Sequence, residues 1–188
     1  MGRCAWCGDD PVYVAYHDDE WGVPEHDDQA LYEKLCLDGF QAGLSWIIVL
    51  KKRDNFRNAF DNFDPEKIAR YGKQQVNRLL KDSGIIRSQA KIHGAIANAK
   101  AWLAIMESGT GSFDEFLWKH VNHKTIINKW KTDSQIRAST PASEAMTKDL
   151  KKHNFSFVGP KICYAFMQAV GMVNDHVVSC PQYKLLNK

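Results

Sequence analysis

The sequence predicts an all-α fold of roughly six to nine helices. Across most of the chain, apolar residues recur at spacings of three and four, which places them on one face of a helix. No segment alternates polar and apolar residues for long, so a strand-rich fold is not expected. Of the 188 residues, 44% are hydrophobic and 25% are charged. These values are typical of globular proteins and exclude a disordered or collagen-like chain.

The first predicted helices lie in the first half of the chain. One covers residues 28–39, and a second begins at residue 43 or 45 and extends to about residue 60. A short helix then follows Asp64, because an aspartate, a proline and a glutamate in succession supply an N-cap, a first-turn proline and an acid that faces the helix dipole. A further helix covers residues 74–83 and ends at Gly84.

The second half of the chain predicts four more helices. The helix over residues 88–107 carries an apolar stripe, and the helix over 113–121 has two acids in its first turn. Residues 122–140 are polar and poorly periodic, which predicts an irregular connection. Helices over residues 141–150 and 160–170 follow it.

We expect one domain over residues 1–188, made of two helical lobes. Residues 1–25, called the arm below, are acidic and rich in Gly, Asp and Pro, so they predict little helix. Residues 171–188, called the tail below, follow the last predicted helix. The arm and the tail are both expected to lie outside the regular bundle.

The sequence also predicts where the protein is located and the redox state of its cysteines. The longest apolar stretch, residues 44–50, is far shorter than the roughly 20 residues that a membrane-spanning helix needs, so no membrane contact is expected. The first ten residues lack the apolar region of a secretory signal, which predicts a cytoplasmic protein. Five scattered cysteines favour reduced thiols or a metal site over disulfides. We expect a monomer.

Charge is distributed unevenly along the chain. Residues 1–40 carry two basic and ten acidic residues, whereas residues 41–188 carry 23 basic and 12 acidic residues. A solvated helical surface would explain a basic segment of this kind. A surface that binds a polyanion such as DNA is the functional alternative.

Four potential metal ligands lie at the two ends of the chain. Cys4 and His17 are in the arm, and His176 and Cys180 form a His-x3-Cys pair in the tail. Two thiolates and two imidazoles make a closed tetrahedral zinc site, which would join termini that otherwise fray. Two alternatives remain open on spacing alone, since the tail pair could be one turn of core and Cys7 offers a competing ligand.

A glycine-containing turn lies between two predicted helices. Gly159 precedes the helix over residues 160–170, and Lys161 lies in its first turn. Free backbone N–H groups at a helix start, together with a lysine, suit a DNA phosphate, as in the helix-hairpin-helix element. A plain turn between two helices is the alternative.

Aromatic residues are concentrated in the arm. Trp6, Tyr13, Tyr16 and Trp21 lie within the first 21 residues, and Trp46 follows a short Gly-Leu-Ser segment. Buried core is the usual role of aromatic residues, but this acidic, Gly- and Pro-containing arm is poor material for a core. A pocket that stacks a flat or cationic ligand is the alternative.

Asp38 is the acidic candidate for such a pocket. It directly precedes Gly39 at a predicted helix end, where a carboxylate is locally unfavourable because it opposes the helix dipole. This placement favours a ligand-binding role for Asp38, with an exposed, solvated aspartate as the alternative.

Taken together, these segments resemble the bacterial 3-methyladenine DNA glycosylase I enzymes, a divergent branch of the helix-hairpin-helix glycosylases. The resemblance extends from residue 3 to about residue 181. The matching segments are Arg3-Cys4-Ala5-Trp6, Asp10-Pro11-Val12-Tyr13, Tyr16-His17-Asp18-Asp19-Glu20-Trp21-Gly22-Val23-Pro24, Gln41-Ala42-Gly43-Leu44-Ser45-Trp46, Gly84-Ile85-Ile86-Arg87, Val121-Asn122, Phe157-Val158-Gly159 and Asn174-Asp175-His176-Val177.

The resemblance implies an all-α glycosylase-like bundle that removes N3-methyladenine from double-stranded alkylated DNA and releases the free base. It implies structural Zn²⁺ ligands, base-binding residues and a wedge that enters the DNA stack. The implied zinc ligands are Cys4, His17, His176 and Cys180. The implied base contacts are Tyr16, Trp46 and residue 38, with Trp6, Tyr13 and Trp21 close by. The implied wedge is Gly43 and Leu44. The family often has Glu where this chain has Asp38, whose side chain is shorter by one methylene.

The chemistry that the resemblance implies needs no strong general acid. N3-methyladenine in DNA is cationic and already a good leaving group, so recognition of the flipped base can carry much of the selectivity. An ionised Asp38 would accept a hydrogen bond from the base and balance its charge. The matched pocket segments contain no lysine, so the product should be an abasic site in an intact strand. Asp175 is expected to be structural.

Two other classes of protein remain as alternatives. One is a non-catalytic, zinc-stabilised DNA-binding protein in which the aromatic residues are only core. The other is a zinc-dependent hydrolase, which needs an open coordination position. Four available protein ligands argue against the hydrolase.

Overall fold

The computed structural model describes residues 2–109 and 111–187, and most of them are helical. The helices are α1 (Pro11–Asp19), α2 (Asp28–Gln41), α3 (Trp46–Leu50), α4 (Arg53–Ala59), α5 (Pro65–Ile68), α6 (Lys73–Lys81), α7 (Gln89–Glu107), α8 (Phe113–Trp118), α9 (Pro141–Lys152), α10 (Pro160–Ala169) and α11 (Pro181–Leu185). Four 3-10 turns cover Ala5–Cys7, Asp61–Phe63, Lys119–Val121 and Asp133–Gln135, and two short strands are β1 (Ile126–Ile127) and β2 (Val173–Asn174). The prediction of a predominantly helical fold is confirmed.

Helix starts follow local capping chemistry. The side chain of Asp27 accepts a hydrogen bond from the backbone of residue 30 at the start of α2, and Asp64 caps α5 as predicted. Ser88, Ser112 and Thr140 cap α7, α8 and α9 in the same way. Each cap satisfies a backbone N–H that the helix itself leaves without a partner.

Helix α2 lies at the centre of the molecule. Residues 35–40 of α2 are all buried, because α2 contacts α3, α7, α8 and α10 on its different sides. A cluster of aromatic residues packs beside it, with the rings of Phe40 and Phe56 4.7 Å apart and those of Phe60 and Phe63 5.5 Å apart. Every residue near the C-terminal end of α2 is therefore held in a defined position, Asp38 included.

Helices α9 and α10 pack against each other and are joined by a short turn. The turn contains Asn154 and Phe157 with positive φ. Its backbone is attached to α7, because the Ser156 N–H donates to the Asn98 side chain at 2.7 Å and the Asn98 amide donates back to the Ser156 carbonyl. The predicted pair of helices joined by a turn is thus present, and the turn is bonded to α7.

The helix count differs from the prediction. The structure has eleven α-helices among the described residues, against the six to nine expected. The helix expected from residue 43 or 45 to residue 60 is interrupted at residues 51–52 and becomes α3 and α4. Short helices also occur in the arm and the tail. Periodicity alone did not reveal either feature, since a helix of five to nine residues gives a weak periodic signal.

The expectation that the arm and the tail lie outside the bundle is wrong. The arm forms α1, capped by Asp10 and started by Pro11, and buries Tyr16 and Trp21. Its backbone bonds to the end of α10, since the Glu25 N–H donates to the Val170 carbonyl at 3.1 Å. Residues 172–177 of the tail are also buried. Tertiary contacts between the two ends of the chain provide the core that the arm's composition does not suggest.

Residues 122–140 are mostly irregular, as predicted, but they are well anchored. Strand β1 pairs in parallel with β2 of the tail, with Ile126 opposite Val173. Next to this pair, the fully buried carboxylate of Asp175 accepts four hydrogen bonds of 2.7 Å. The donors are the side chains of Asn128, Trp130, Tyr164 and Gln168. Asp175 therefore connects the irregular segment, α10 and the tail.

Among the described residues, no helix combines the length and the apolar character required to cross a membrane.

Replacing Asp175 with Asn should lower the free energy of unfolding by about 2–3 kcal/mol, because an amide NH₂ would face donors that now share a carboxylate. Chemical denaturation of both proteins measures this. Asp54→Asn removes the same charge from an exposed side chain and should leave stability unchanged. A folded Asp175→Asn variant with full stability would contradict this structural role.

Candidate functional site

A cavity of about 370 Å³ lies between the arm, α2, α3 and α10. A volume of this size suits a small planar ligand. The cavity is lined by Trp6, Tyr13, Tyr16, Trp21, Lys34, Asp38, Gln41, Trp46, Asp133, Ile136, Ala165 and Gln168. All five aromatic candidates and Asp38 are thus brought together in one place, and we call this the aromatic cavity.

The walls of the aromatic cavity are aromatic rings in contact with one another. The ring of Trp6 lies 5.0 Å from Tyr13 and 4.9 Å from Trp21, both edge to face. The ring of Tyr16 lies 5.5 Å from that of Trp46. The indole N–H groups of Trp6 and Trp46 are buried and have no hydrogen-bond partner within the protein. Unpaired donors beside a cavity are available to a polar ligand, since buried polar groups are nearly always paired.

Asp38 is buried, with 2% of its surface exposed, which rules out the solvated alternative. One carboxylate oxygen, Oδ1, pairs with the Lys34 ammonium one helical turn earlier. The other, Oδ2, is buried without a partner. Burial raises the pKa of Asp38, and the adjacent Lys34 ammonium opposes this rise. The carboxylate therefore keeps one oxygen available for a donor on a ligand.

Lys34 was not among the candidates from sequence. The matched pocket segments contain no lysine, but the cavity does, so the lack of a lysine in those segments does not by itself support an intact DNA strand. Its ammonium lies 4.0 Å from the centroid of the Trp46 ring, in cation–π contact. Burial lowers the pKa of Lys34, while Asp38 opposes that shift. The i, i+4 spacing of a lysine and an aspartate on a predicted helix is the signal that could have identified the pair.

Asp133 is a second carboxylate that sequence reasoning did not identify. It belongs to the irregular segment, and its Oδ2 accepts a hydrogen bond from the backbone N–H of Ala5 at 2.9 Å. Its Oδ1 is buried and has no partner within the protein. No sequence pattern marks Asp133, because only the tertiary fold brings residues 122–140 against the arm.

A second cavity, of about 670 Å³, adjoins the aromatic cavity, because Asp38, Gln41 and Ala165 line both. We call it the entry groove. Four sequence-derived candidates lie along it, namely Gly43, Leu44, Gly159 and Lys161. The two segments expected to contact DNA are thus placed together at the mouth of the aromatic cavity.

The two segments at the entry groove have shapes that suit different contacts. Gly43 has a φ of +80°, and the side chain of the following Leu44 is 39% exposed, unusual for a leucine beside a buried helix. Gly159 directly precedes α10, whose first turn presents free backbone N–H groups beside Lys161. The first segment is an exposed apolar tip, and the second combines backbone donors with a positive charge, as an anion site requires.

Three buried side chains from opposite ends of the chain form a group that could hold a metal ion. The candidate ligand atoms of Cys4, His17 and Cys180 all lie within 4.8 Å of one another. His17 Nδ1 contacts the Asp18 carboxylate at 2.8 Å, which leaves Nε2 free on the side of Cys180, 3.7 Å from its sulfur. Burial raises the pKa of the Cys4 thiol to about 12, so only a bound cation would hold it as a thiolate.

His176 lies beside this group. Its ring is 4.9 Å from that of His17, and its Nδ1 contacts Asn174 at 3.1 Å. Its Nε2 is fully buried without a partner, as expected for an atom positioned to bind an ion. Cys7 is buried nearby, but its thiol donates to the Cys4 carbonyl and lies outside the group.

Comparisons with known proteins agree with this geometry. A sequence model described as methyladenine glycosylase matches residues 6–183. The chain is 53% identical to DNA-3-methyladenine glycosylase 1 of Escherichia coli (strain K12) over 183 residues, which cover 97% of each protein. It is 48% identical to DNA-3-methyladenine glycosylase of Haemophilus influenzae, over 95% of this chain and 96% of that protein.

The fold agrees as well. A crystal structure of 3-methyladenine DNA glycosylase I matches with a TM-score of 0.94 and 52% identity, over 96% of this chain and 98% of that one. Since the sequence match covers nearly the whole chain and the relatives match almost over their full lengths, the chain belongs to the methyladenine glycosylase family.

Proposed function

We propose that this protein is a DNA-repair enzyme, a DNA-3-methyladenine glycosylase that hydrolyses the N-glycosidic bond of N3-methyladenine in alkylated double-stranded DNA. The products are the free base and an abasic site. One observation carries the proposal: a cavity lined by five aromatic side chains and a buried carboxylate adjoins a groove with an exposed leucine and the start of α10 beside Lys161. Family membership supports the same activity.

The reaction needs recognition more than acid catalysis. N3-methylation gives the base a positive charge while it is attached to the sugar. When the bond between C1′ and the base nitrogen breaks, its electron pair stays on the base and neutralises that charge. Water supplies the hydroxyl that joins C1′, and the remaining proton goes to solvent. The enzyme therefore has to extract the base from the stack and hold it while the bond breaks.

Asp38 and the aromatic rings are assigned to the base. Asp38 would accept from the exocyclic amino group through its unpaired Oδ2 and would balance the positive charge. Tyr16 and Trp46, whose rings are in contact, would stack on the base, since an aromatic face attracts a cation. Trp6, Tyr13 and Trp21 complete the walls. Unmodified adenine is neutral and would lack the charge attraction.

The entry groove is assigned to DNA. The exposed side chain of Leu44, presented by the turn at Gly43, would fill the space that the extracted base leaves in the stack. The backbone N–H groups after Gly159 and the ammonium of Lys161 would hold a phosphate. Phosphate contacts position the DNA without reading its sequence, as a repair enzyme requires.

The buried thiols and imidazoles fit a structural zinc ion. Cys4, His17 and Cys180 already converge. His176 lies outside that group of three, but its unpaired Nε2 is adjacent and would supply the fourth ligand. Four protein ligands leave no position for a reactive water, which argues against a zinc-dependent hydrolase. The ion would contribute folding free energy by joining the arm to the tail. The monomeric state and the cytoplasmic location stay predictions.

Incubation with methylated double-stranded DNA, followed by chromatography of the released bases, tests the proposed function. Free 3-methyladenine should appear, and the DNA should contain abasic sites without strand breaks. DNA binding without base release would support the alternative, a non-catalytic zinc-stabilised DNA-binding protein.

Asp38→Asn should weaken binding of free 3-methyladenine by about 1–3 kcal/mol, the range for a charge-assisted hydrogen bond. Asp38→Glu keeps the charge and should be tolerated. A calorimetric titration beside single-turnover excision measures both, and excision should fall less than in an enzyme that needs a general base. If Asp38→Asn binds the base as tightly as the parent, recognition depends on the aromatic rings alone.

Lys161→Ala should weaken binding to DNA of every sequence and reduce the slope of log affinity against log salt by about 1, because one phosphate contact is lost. Fluorescence anisotropy on two unrelated duplexes over a range of salt measures this. Lys100→Ala is a matched control, since Lys100 is exposed on α7 and lines neither the aromatic cavity nor the entry groove. An effect confined to one duplex would mean that Lys161 reads bases.

Removal of the metal, or the substitution His176→Ala, should lower the melting temperature by roughly 10 °C or more, because the ion joins the two ends of the chain. Elemental analysis should find about one zinc per chain in the parent. The His176→Ala variant should keep its activity where it is folded. An unchanged melting temperature combined with lost excision would contradict a structural role.

A further inference from the structure

Lys34 already makes the two interactions that the proposed site would offer to a cationic base. Its ammonium pairs with Asp38 and lies 4.0 Å from the Trp46 ring centroid. The lysine side chain is only 16% exposed. Although Asp38 Oδ2 stays unpaired, the ammonium neutralises the carboxylate and lies over the Trp46 ring, so it occupies part of the site assigned to the base.

Neighbouring charges show that Asp38 is the partner of Lys34. The two other carboxylates near Lys34 have arginine partners of their own. Arg53 pairs with Glu20 through two hydrogen bonds, one of 2.8 Å, and Arg57 pairs with Glu33 at 2.8 Å. The Lys34 ammonium is therefore balanced by Asp38, and a second cation brought to Asp38 would be repelled.

The structure provides a place for the ammonium when a base enters. A cavity of about 260 Å³ on the arm side of α2 is lined by Lys34 and Trp46. Its other charged residues are the acids Asp19, Glu20, Glu25 and Glu33 and the two arginines Arg53 and Arg57, so the carboxylates outnumber the arginines. A lysine side chain has four flexible carbons, so its ammonium can turn towards these carboxylates without any movement of the backbone.

We propose that Lys34 is a specificity-determining residue of the base-excision site: its ammonium occupies the cation position between Asp38 and Trp46, a cationic base displaces it, and it returns once the base is neutral. This inference rests on the proposed function. Cleavage leaves the electron pair of the glycosidic bond on the base, so the product no longer competes for the carboxylate as a cation. Lys34 then reclaims Asp38 and Trp46, which favours release of the product and disfavours neutral bases.

The variant Lys34→Met tests this, because methionine is unbranched, of similar length and uncharged. Free 3-methyladenine is titrated into parent and variant at mildly alkaline pH, where the free base is neutral. The variant should bind it at least about tenfold more tightly, since no ammonium has to be displaced. A merely structural role for Lys34 would weaken binding, because the pocket would lose its shape.

Two further variants sharpen the test. Lys34→Arg keeps a cation and should bind the base as the parent does. Lys34→Gln removes the charge but keeps a donor for Asp38. It should bind the base more tightly than the parent, and it replaces Lys34→Met in the test if that variant does not fold. Lys100→Met removes the same charge from the exposed face of α7 and should change nothing. Equal or weaker binding by folded Lys34→Met or Lys34→Gln overturns the inference.

The excision assay on the parent separates this inference from the proposed function. If the parent releases 3-methyladenine from DNA while the uncharged variants bind the base no more tightly, only the role of Lys34 is wrong. If the parent releases no base at all, the proposed function itself is wrong, and the inference about Lys34 fails with it.

Discussion

The aromatic cavity depends on the contact between the two ends of the chain. Four of its aromatic walls, Trp6, Tyr13, Tyr16 and Trp21, belong to the arm. The arm is held by the backbone bond from Glu25 to the end of α10 and by the buried cysteine and histidine side chains that it shares with the tail. Isolated ends of a chain fray, so these contacts turn a weakly structured segment into one wall of the site.

In the proposed mechanism, the selectivity of the site comes from the burial of charge. A carboxylate that is 2% exposed is costly unless it is paired, and Lys34 supplies the partner when no base is present. The same low-polarity surroundings strengthen the attraction between Asp38 and a positively charged lesion. The stability of the protein without a base and the proposed recognition of the base therefore both depend on the Asp38 carboxylate. Lys34 and the base compete for this carboxylate.

The features assigned to DNA are attached to buried elements. Leu44 lies three residues after the end of α2, whose residues 35–40 are all buried, and the turn before Gly159 is bonded to Asn98 of α7. The entry groove and the aromatic cavity share Asp38, so a wedge in the DNA stack and a pocket for the extracted base keep a constant separation. Asp175 links the irregular segment to α10, because it accepts hydrogen bonds from Asn128 and Trp130 and from Tyr164 and Gln168, the last of which lines the aromatic cavity.

The longer helices were predictable from the sequence, because caps and three-to-four periodicity are local properties. Helices α2, α7, α9 and α10 begin within about two residues of their predicted starts. The aromatic residues and Asp38 could also be singled out, since residue type and the family resemblance mark them. Lys34 is also marked, by its i, i+4 spacing from Asp38, although only the structure places it in the cavity. The burial of the arm and the position of Asp133 could not be predicted. Each depends on which distant segments pack together, and residues that meet across more than 90 positions leave no periodic trace in the sequence.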